Sequence, residues 1–585
     1  MKDLKFTAAA AGLAVLISGS FSCSSAPPAP AGSSGVPAGA VGQQPRAPHV
    51  PASVTSGTAP MAGACDPKQT LHLALHLPLR NQAELIQLLH DLYDPASPSF
   101  HEYLSVAAFT ERFAPTTKDY NTVVAWAKAN SLTVTATTPN RRLVAVEGSV
   151  QTVNRAFRIT VTNYRHPNDS RIFFSPNHEP TPVGLSVQLL QITGMNDFVL
   201  PHPMLRHATA SSPNGAVPNL NGSGPSGEYL PSDMRAAYYG NGPLTGTGQS
   251  IGIFSFDGYL ASDVSLYYSK TGTSYPVPIK NVLVDGYNGA CTSVSSPTDS
   301  TCDDGEQVLD IVNAVGMAPG IQQILFYEGS SNTEILNQMA TDNIAKVLSS
   351  SWGWNPADAA SDDPIFQEFA AQGQSFVSAS GDDGAFNSAN YYFPSVDQYV
   401  TQVGGTDLTT TGPGGAWAAE SGWSHSGGGY MSGTPIPSWQ QLAGVVNSAN
   451  QGSTTLRNTP DVAAEANLDN PTVVNGSFVT GYGGTSFAAP RWAGFLALVN
   501  QQSVANGKGT VGFINPALYS LGVSTNYSSA LHDITSGSNP ASAGGSGFNA
   551  VRGYDLVTGW GSPAGVDLIN QLAGADASQR SRSAH

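Results

Sequence analysis

Hydrophobic and polar residues follow different patterns in successive parts of the chain. Residues 24–64 are rich in Pro, Ala, Gly and Ser and carry almost no branched or aromatic apolar residues, so they bury too little surface to offset chain entropy. From Leu71 the alternating string LHLALHLPL is typical of a strand, and NQAELIQLLHDLY carries apolar residues at helical spacing. The pattern therefore predicts a linker over residues 23–64 and a folded domain after it.

The folded domain that follows is predicted to be α+β. Its further helices are expected at residues 106–113 and 120–129, and its strands at 132–136, 143–147 and 159–163. A second polar stretch, HATASSPNGAVPNLNGSGPSGEY, then interrupts the pattern, and exposed stretches of this kind are preferred sites of proteolysis. We therefore predict a domain over residues 65–206 and a linker with a cleavage site over residues 207–228.

Beyond Tyr229 the pattern changes to buried strands that alternate with helices. The strings QSIGIFSF, QQILFYEG, AKVLSSSWG and QSFVSAS predict strands, whereas EQVLDIVNAVGMA and TEILNQMATDN predict helices. Strands that alternate with helices form mainly parallel sheets covered by helices on both faces. The fold class expected for residues 229–575 is therefore α/β, and residues 576–585 are predicted to be a tail.

The N-terminus has the pattern of a secretory signal. Two lysines precede an apolar run at residues 6–17, and small residues follow it, so we predict a signal peptide over residues 1–22 and a secreted protein. The string SFSC, which ends at Cys23, is similar to a lipobox without its usual Leu, so a lipid-anchored precursor stays open. No later segment has the roughly 18 uninterrupted apolar residues of a transmembrane helix.

The net charge and the cysteine pattern argue against two classes of function, nucleic-acid binding and zinc binding. The chain carries 25 Lys and Arg against 41 Asp and Glu, for a net charge of -16, and the basic residues form no stripe that would bind nucleic acid. This acidity fits either a protein that works in acid or simple solubility. In an oxidising compartment Cys291 and Cys302 are natural disulfide partners, which leaves Cys65 without one. No CxxC or HxxxH pair accompanies these cysteines, which argues against a zinc site.

The string GYGGTSFAAPRWAGFLALVNQ places Ser486 at a tight turn and at the start of a helix. Unpaired backbone amides and the helix dipole favour negative charge there, which suits a nucleophile. The alternative is that Ser486 only caps the helix, the commonest role of serine at such a place. The sequence alone leaves both roles open.

The string DDGEQVLDIVNAVGMAPG carries a possible base. Glu306 and Asp310 lie four residues apart, and therefore on one face of the predicted helix. Two carboxylates so close repel unless they share a proton, whereas the ordinary alternative is a solvated helix face. Because the apolar neighbours pack this helix into a core, we expect the pair to be semi-buried at the edge of the sheet.

The Gly-Thr-Ser-x-Ala-x-Pro string resembles both subtilisins and sedolisins. A subtilisin needs a histidine base, and none of His425, His532 and His585 lies in a suitable string. With the Glu306 and Asp310 pair, the chain resembles the sedolisin family of serine-carboxyl peptidases, which have a subtilisin-like fold. The resemblance includes YLPSDMRAAY, SSSWG, SASGDDGA, GGGY, DITSG and GYDLVTGWGSP, and DPASPSFHEYLSVAAFTERFAP is similar to the activation propeptide of that family.

The resemblance implies a role for each site residue. Ser486 would be the nucleophile, Glu306 its general base, and Asp310 a hydrogen-bond partner of Glu306 that helps to pass the proton. Asp382 would donate to the oxyanion, and we prefer it to Asp383 because it directly follows a glycine, as in the pattern of the family. A carboxyl donates only when protonated, and a glutamate can act as a base in acid, so the mechanism implies an acidic optimum.

Two further sites are implied. Ser351, Trp352 and Gly353 would bind substrate, because in the family this strand edge pairs with extended peptide backbone. One structural calcium ion is also expected. Its implied ligands are two carboxylates and three backbone carbonyls, at Asp533, Ile534, Val551, Gly553 and Asp555, although Val551 stands where glycine is more usual.

Together these features predict a secreted, acid-acting serine-carboxyl endopeptidase made as a self-processing zymogen. A ferredoxin-like propeptide domain would inhibit the enzyme before cleavage, polypeptides would be its substrates, and the protein would be a monomer. The alternatives are a tripeptidyl-peptidase-like exopeptidase and a non-catalytic, calcium-stabilised binding protein on the same fold. A neutral subtilisin-type hydrolase and an aspartic protease fit the motifs less well.

Overall fold

The structure is a computed structural model that describes residues 48–207, 220–240, 242–291, 302–354, 359–386, 392–541 and 546–574. The predicted signal peptide, Cys23, the tail and most of the predicted cleavage linker lie outside the described residues. None of the helices in the described ranges is both long and apolar enough to cross a membrane.

The N-terminal part forms a domain with its own core, in which Leu73, Val146 and Phe157 are buried. Its elements are α1 Ala52–Thr55, β1 Met61–Ala64, β2 Thr70–His76, α2 Gln82–Tyr93, α3 Val106–Phe113, α4 Thr117–Ala129, β3 Thr133–Thr137, β4 Leu143–Ser149, α5 Val150–Phe157, β5 Val161–Arg165, β6 Ile172–Pro176 and β7 Gln191–Thr193.

The main sheet of this domain has the strand order β3-β4-β2-β7, and all of its pairs are antiparallel. Helix α4 lies between β2 and β3 in the chain, and α5 lies between β4 and β7. In order of appearance the strands are therefore arranged 4-1-3-2, which is the ferredoxin-like arrangement. This confirms the predicted fold of the domain.

The described part of the N-terminal domain includes regular elements before residue 65, the predicted boundary. Helix α1 and strand β1 lie within the predicted linker, and β1 pairs antiparallel with β5. All four side chains of β1 are exposed, so the strand is held by backbone pairing and leaves no hydrophobic pattern in the sequence. Helix α5 was not predicted either. It begins directly after β4, with the Ser149 side chain capping its first turn.

Two short strands, β8 His202–Pro203 and β9 Arg206–His207, lead from the N-terminal to the C-terminal part. The elements that follow are α6 Pro231–Tyr238, β10 Ser250–Ser255, α7 Ala261–Thr271, β11 Ile279–Leu283, α8 Gly305–Met317, β12 Gln323–Glu328, α9 Asn332–Asp342, β13 Val347–Ser350, β14 Trp352–Gly353, α10 Ala359–Ala371, β15 Ser375–Ala379, β16 Thr401–Thr410, β17 Trp417–Gly422, a 3-10 turn Ser438–Gln441, β18 Val462–Glu465, β19 Asn470–Val474, β20 Ser477–Gly483, α11 Thr485–Ala505, α12 Asn515–Gly522, α13 Tyr527–Ala530, β21 Leu531–His532, β22 Ser562–Pro563 and α14 Val566–Leu572.

The C-terminal part is built around an eight-stranded sheet. Its order is β11-β12-β10-β13-β15-β16-β17, and β18 also pairs with β16. Every pair is parallel except β16 with β17. This confirms the predicted α/β fold with a mainly parallel sheet.

Helices cover both faces of this sheet, as expected for parallel strands. Alternate residues of β10 point to opposite cores: Ile251 and Ile253 join the core that contains α8 and α11, whereas Phe254 joins the core that contains α9 and α10. The string AKVLSSSWG, predicted as one strand, is divided at Ser351 into β13 and β14. The division carries the chain out of the main sheet, so that β14 pairs with β8 instead.

Candidate active site

Ser486 is the second residue of α11, and its hydroxyl does not cap the helix. The Ser486 Oγ donates a hydrogen bond of 2.8 Å to Glu306 Oε2. Gly484 precedes the helix with φ of 135°, and a Cβ built there would lie 2.5 Å from Asp382 Oδ2. Glycine is therefore required at this turn, because it lets the serine and the aspartate approach each other.

Glu306 and Asp310 lie on α8, whose side chains are all buried against the sheet and α11. They are 2% and 1% exposed, which is deeper than the semi-buried position predicted from the sequence and excludes a solvated helix face. Ser351 Oγ donates a hydrogen bond of 2.6 Å to Asp310 Oδ1. A buried hydroxyl of β13–β14 thus holds the second carboxyl group in place.

In the Glu306 and Asp310 pair, each carboxyl group has one oxygen that bonds to a serine and one that is buried without a donor, so their implied hydrogen bond stays a prediction. Glu306 Oε2 accepts from Ser486 and Asp310 Oδ1 accepts from Ser351, while Glu306 Oε1 and Asp310 Oδ2 are buried without a partner. Burial, and then the nearby charge of Asp310, raises the pKa of Glu306 well above its usual range, and burial does the same for the pKa of Asp310. Both shifts favour a protonated state of the pair over two buried negative charges.

Asp382 lies in the turn after β15, directly behind Gly381, whose φ is 117°. Its Oδ1 accepts hydrogen bonds of 2.8 Å from both the amide and the hydroxyl of Thr485, the residue before the serine. Its Oδ2 is buried without a partner, and burial raises the pKa of Asp382 to about 8. A neutral Asp382 therefore has a free O–H group beside Ser486.

Asp383, the alternative to Asp382, faces a different partner. Its Oδ1 lies 3.2 Å from the guanidinium of Arg206, and the two side chains are 31% and 35% exposed. Asp382 is the one that contacts Thr485 and the turn at Gly484. The structure thus separates two adjacent aspartates that the sequence distinguished only by the glycine before them.

The strand predicted to bind substrate pairs, in this structure, with β8 of the same chain. In an antiparallel ladder, Trp352 is opposite Pro203 and Gly353 is opposite His202. The Trp352 side chain is 3% exposed and packs edge-to-face on Phe256, so only its backbone faces the cleft. Ser351 takes part in two ways, through its backbone carbonyl and through its hydroxyl on Asp310, and the second contact was not predicted.

The predicted calcium ligands are brought together at one loop. Val551 N donates to Asp555 Oδ2 and Gly553 N donates to Asp533 Oδ1, both over 3.0 Å, so the loop lies between the two carboxylates. Within the described residues, nothing donates a hydrogen bond to the carbonyl oxygens of Ile534, Val551 and Gly553. Two carboxylates and three free carbonyl oxygens are the donor types that Ca²⁺ prefers, so this group of residues fits the ion.

The cysteines are arranged as predicted. Cys291 and Cys302 form a disulfide, with 5.0 Å between their Cα atoms, shortly before α8. Cys65 remains a free thiol, buried in the N-terminal domain, and donates to Asn163 Oδ1 over 2.9 Å. Burial raises the pKa of Cys65 to about 11, which keeps the thiol neutral.

Thr485 is the site residue that the sequence analysis missed. It joins Asp382 to the start of α11 by two hydrogen bonds, and its own hydroxyl accepts from Gly381 N over 3.1 Å. The signal was present, because Thr485 belongs to the Gly-Thr-Ser string. Its partner could not be inferred, since Asp382 is distant in sequence and meets it only in the folded chain.

Two family models match the chain. Residues 59–198 match the pro-kumamolisin activation domain, and residues 286–511 match the subtilase family. The first match starts near β1, in agreement with the regular elements before residue 65. The second covers all of α8 and α11, which carry Glu306, Asp310 and Ser486.

Known peptidases align with most of the chain. Sedolisin of Pseudomonas sp. (strain 101) is 30% identical over 531 residues, which cover 84% of this chain and 86% of that protein. Kumamolisin of Bacillus sp. (strain MN-32) is 30% identical over 502 residues, covering 81% and 87% of the two chains. Tripeptidyl-peptidase 1 of Rattus norvegicus is 26% identical over 555 residues, covering 87% and 93%.

A solved structure of Pseudomonas sedolisin, a serine-carboxyl proteinase complexed with two molecules of pseudo-iodotyrostatin, is 32% identical to this chain. It covers 60% of this chain and 98% of its own, with a TM-score of 0.48. The activation-domain match and the two relatives at 30% identity agree with the buried serine and carboxyl groups described above. The chain belongs to the sedolisin family of serine-carboxyl peptidases.

Proposed function

We propose that this protein is a secreted, acid-acting endopeptidase that is made as a self-processing zymogen, with Ser486 as nucleophile. The observation that carries the proposal is the 2.8 Å hydrogen bond from Ser486 Oγ to Glu306 Oε2 in a buried site. In the described part of the chain no histidine contacts the Ser486 hydroxyl, so the carboxyl group takes the place of the base.

The reaction follows from the positions of these groups. Ser486 Oγ attacks the peptide carbonyl carbon while its proton passes to Glu306, and Asp310, held by Ser351, limits the charge on the pair. The developing oxyanion accepts hydrogen bonds from Ser486 N and from neutral Asp382. Glu306 then returns the proton to the leaving amine, and water hydrolyses the acyl-enzyme by the same steps in reverse order.

Acid favours this arrangement. Asp382 donates only while protonated, and its raised pKa of about 8 keeps it neutral at every acidic pH. The raised pKa values of Glu306 and Asp310 favour a pair that carries a proton in acid rather than two negative charges. A histidine base would be protonated and inactive under these conditions.

The mode of cleavage is proposed to be endoproteolytic. Residues 202–207 run through the cleft as continuous chain in both directions, which supports a site that accepts the interior of a polypeptide. Relatives named tripeptidyl-peptidase 1 favour the exopeptidase alternative. Peptides with a blocked N-terminus distinguish the two modes, because a tripeptidyl peptidase needs a free amine three residues before the bond.

Calcium and secretion complete the proposal. Asp533 and Asp555, with the carbonyl oxygens of Ile534, Val551 and Gly553, would hold one Ca²⁺ ion that stabilises the C-terminal loops. The signal-like N-terminus and the disulfide between Cys291 and Cys302 support export to an oxidising compartment. The N-terminal domain would inhibit the enzyme until it is removed.

The test compares purified wild-type precursor with Ser486→Ala and Glu306→Gln after a shift to about pH 4 with calcium. We expect the wild type to shorten and then hydrolyse N-terminally blocked peptides, and both variants to remain long and inactive. Cleavage of free but not blocked peptides would support the tripeptidyl mode. An inactive wild type with an intact fold across the acid range would support the binding protein instead.

A further inference from the structure

Residues 202–207 of the chain lie in the cleft in the manner of a bound peptide. On one side, His202 and Pro203 pair antiparallel with Gly353 and Trp352, and on the other side β9 pairs with the end of β20. Between the two ladders, Met204 N donates to Ser351 O over 2.9 Å. The main chain is therefore held on both sides of Ser486, in the mode by which an added strand is recognised.

The carbonyl group of Met204 points to the oxyanion donors. Ser486 N donates to Met204 O over 3.1 Å. Met204 O and Asp382 Oδ2 also flank the same point, since a Cβ on Gly484 would lie 2.3 Å from the first and 2.5 Å from the second. The Met204–Leu205 peptide bond is thus the one whose carbonyl occupies the place where Ser486 N and Asp382 would stabilise an oxyanion.

The Met204 side chain fills an apolar pocket. It is 1% exposed, and a Cβ on Gly353 would lie 2.3 Å from its terminal methyl and 2.6 Å from Tyr392 Cβ. Glycine at position 353 therefore makes room for a long, unbranched side chain. Such a pocket suits a residue whose carbonyl is attacked, because it fixes the reacting group through apolar contacts rather than charge.

Arg206, the second residue after the Met204–Leu205 bond, contacts a negatively charged side chain. Arg206 donates to Asp382 O over 2.9 Å and to Asp383 Oδ1 over 3.2 Å. His207 then packs on the Tyr482 ring, with 4.6 Å between ring centroids. Asp383 therefore provides a negative charge on the leaving-group side of the cleft, where a cationic side chain of a peptide would lie.

We propose that the first maturation cut breaks the Met204–Leu205 bond, and that Asp383 selects a basic residue at the second position after the bond. This places the cut upstream of the linker over residues 207–228 that the sequence predicted. It rests on the proposed function. Ser486 Oγ bonds to the Met204 carbonyl carbon, the C–N bond to Leu205 breaks as the Leu205 nitrogen takes up the proton, and water releases Met204 as a free carboxylate.

The position of the cut is tested on the full precursor. Wild-type protein is acidified, sampled at early times, and analysed by intact mass and N-terminal sequencing, beside Ser486→Ala and Leu205→Pro. We expect the first new N-terminus at Leu205, and a delayed or displaced cut in Leu205→Pro because proline is a poor residue after a scissile bond. A first cut within residues 208–228 overturns the inference but leaves the peptidase function intact. Equal processing of Ser486→Ala overturns the proposed function itself.

The role of Asp383 is tested on mature enzyme with the peptide LPHPMLRHA, which copies residues 200–208. We expect cleavage between Met and Leu, and a value of kcat/KM lower by about two- to fivefold when Arg is replaced by Ala, since the pair is partly exposed. Replacement by Glu should lower it further. Asp383→Lys should reverse the order of the Arg and Glu peptides. An unchanged order in that variant, or an uncut parent peptide, overturns the inference.

Discussion

Individual side chains in this site take their roles from their surroundings rather than from their type. Asp382 and Asp383 are adjacent and chemically identical, yet burial raises the pKa of Asp382 to about 8, whereas Asp383 forms a partly exposed ion pair with Arg206. The first is suited to donate a hydrogen bond and the second to attract a cation. Likewise, the buried hydroxyl of Ser351 donates to Asp310, whereas that of Ser486 donates to Glu306.

Asp382→Asn should change the pH dependence of catalysis. An amide donates a hydrogen bond at every pH, whereas the wild-type carboxyl group loses its donor as pH rises through its pKa of about 8. We therefore expect the ratio of kcat for Asp382→Asn to kcat for the wild type to rise with pH, as measured by peptide hydrolysis. Asp382→Ala should lose activity by about a hundredfold or more in acid, because it has no donor. A ratio independent of pH would contradict the assignment.

Ser351→Ala should weaken catalysis without unfolding the protein. The variant removes the 2.6 Å hydrogen bond to Asp310, and because that bond lowers the pKa of Asp310, its loss should raise this pKa further. We expect kcat to fall by about tenfold and its acid limb to move to higher pH. Ser350→Ala is the matched control, because within the described ranges its buried hydroxyl forms hydrogen bonds with the backbone of Trp352 and not with Asp310. Identical pH profiles for the two variants would argue against a positioning role for Ser351.

Among the secondary-structure elements, two helices and one broken strand bring the proposed catalytic groups together. Helix α8 carries both carboxyl groups, α11 carries the serine at its N-terminal end, and the break between β13 and β14 inserts Ser351 between them. The C-terminal loops around residues 533 and 551–555 have few regular elements to hold them. A cation there would substitute for regular packing by crosslinking the two loops.

Removal of calcium should lower the stability of the mature enzyme. A ligand at about 100 times its dissociation constant contributes about 2.7 kcal/mol, so a chelator should lower Tm by several degrees, and added Ca²⁺ should restore it. Asp533→Asn should lower Tm and reduce its dependence on calcium. Asp567→Asn changes an exposed aspartate of α14 and should retain the calcium dependence of the wild type. Equal calcium responses in both variants would place the ion elsewhere.

Across the whole molecule, the N-terminal domain is docked on the catalytic domain by apolar and polar contacts. Leu85, Leu89 and Phe109 pack against Ala370 and Phe513. Buried polar groups accompany them: Asn140 Nδ2 donates to Glu368 over 3.0 Å, and the Arg142 guanidinium lies 4.0 Å from the same carboxylate. His76 is 1% exposed and lies 3.4 Å from Thr333 of α9.

Protonation of His76 and of Glu368 changes the stability of the docked state in opposite directions. Burial, and then the charge of Arg142, lowers the pKa of His76 to about 3, so the docked state excludes the proton that an exposed ring would bind. A histidine with a lowered pKa contributes stability that is lost as pH falls from about 6.5 towards 3. Glu368 acts in the opposite direction, because burial raises its pKa to about 7 and protonation then favours the docked state. His76 is therefore an acid-labile group of this surface, and His101, whose pKa burial lowers to about 4, acts in the same direction.

His76→Gln should require stronger acid for activation. If undocking exposes the ring, the wild type loses on the order of 3 kcal/mol of docking stability by about pH 4, and glutamine, which does not titrate there, avoids this loss. We expect the pH of half-maximal activation of the precursor to move to a lower value. His72→Gln is the control, because its side chain is 64% exposed on the same strand. Equal midpoints in wild type and His76→Gln would exclude His76 as an acid-sensitive group.

Strong local patterns made much of the molecule predictable. Helices α2 and α8 and the buried strands of the parallel sheet follow from apolar periodicity, which depends only on neighbouring residues. The proposed nucleophile Ser486, the carboxyl pair and Asp382 belong to short strings with a recognisable order. Strand β1 and the break at Ser351 could not be predicted in this way, because both depend on backbone pairing with distant segments. Strand β1 is held by pairing with β5, and β14 leaves the main sheet after Ser351 to pair with β8.

The sequence by itself determined the two fold types, the candidate nucleophile and the acidic groups around it, because each is encoded within a few consecutive residues. Only the tertiary structure decided which atoms meet: Ser351 with Asp310, Thr485 with Asp382, and Met204 with Ser486. These contacts join residues that are far apart in the chain, and their strength depends on burial. Neither the distance between such residues nor the exclusion of water around them depends on neighbouring residues in the sequence. The contacts of these residues therefore became apparent only in the folded molecule.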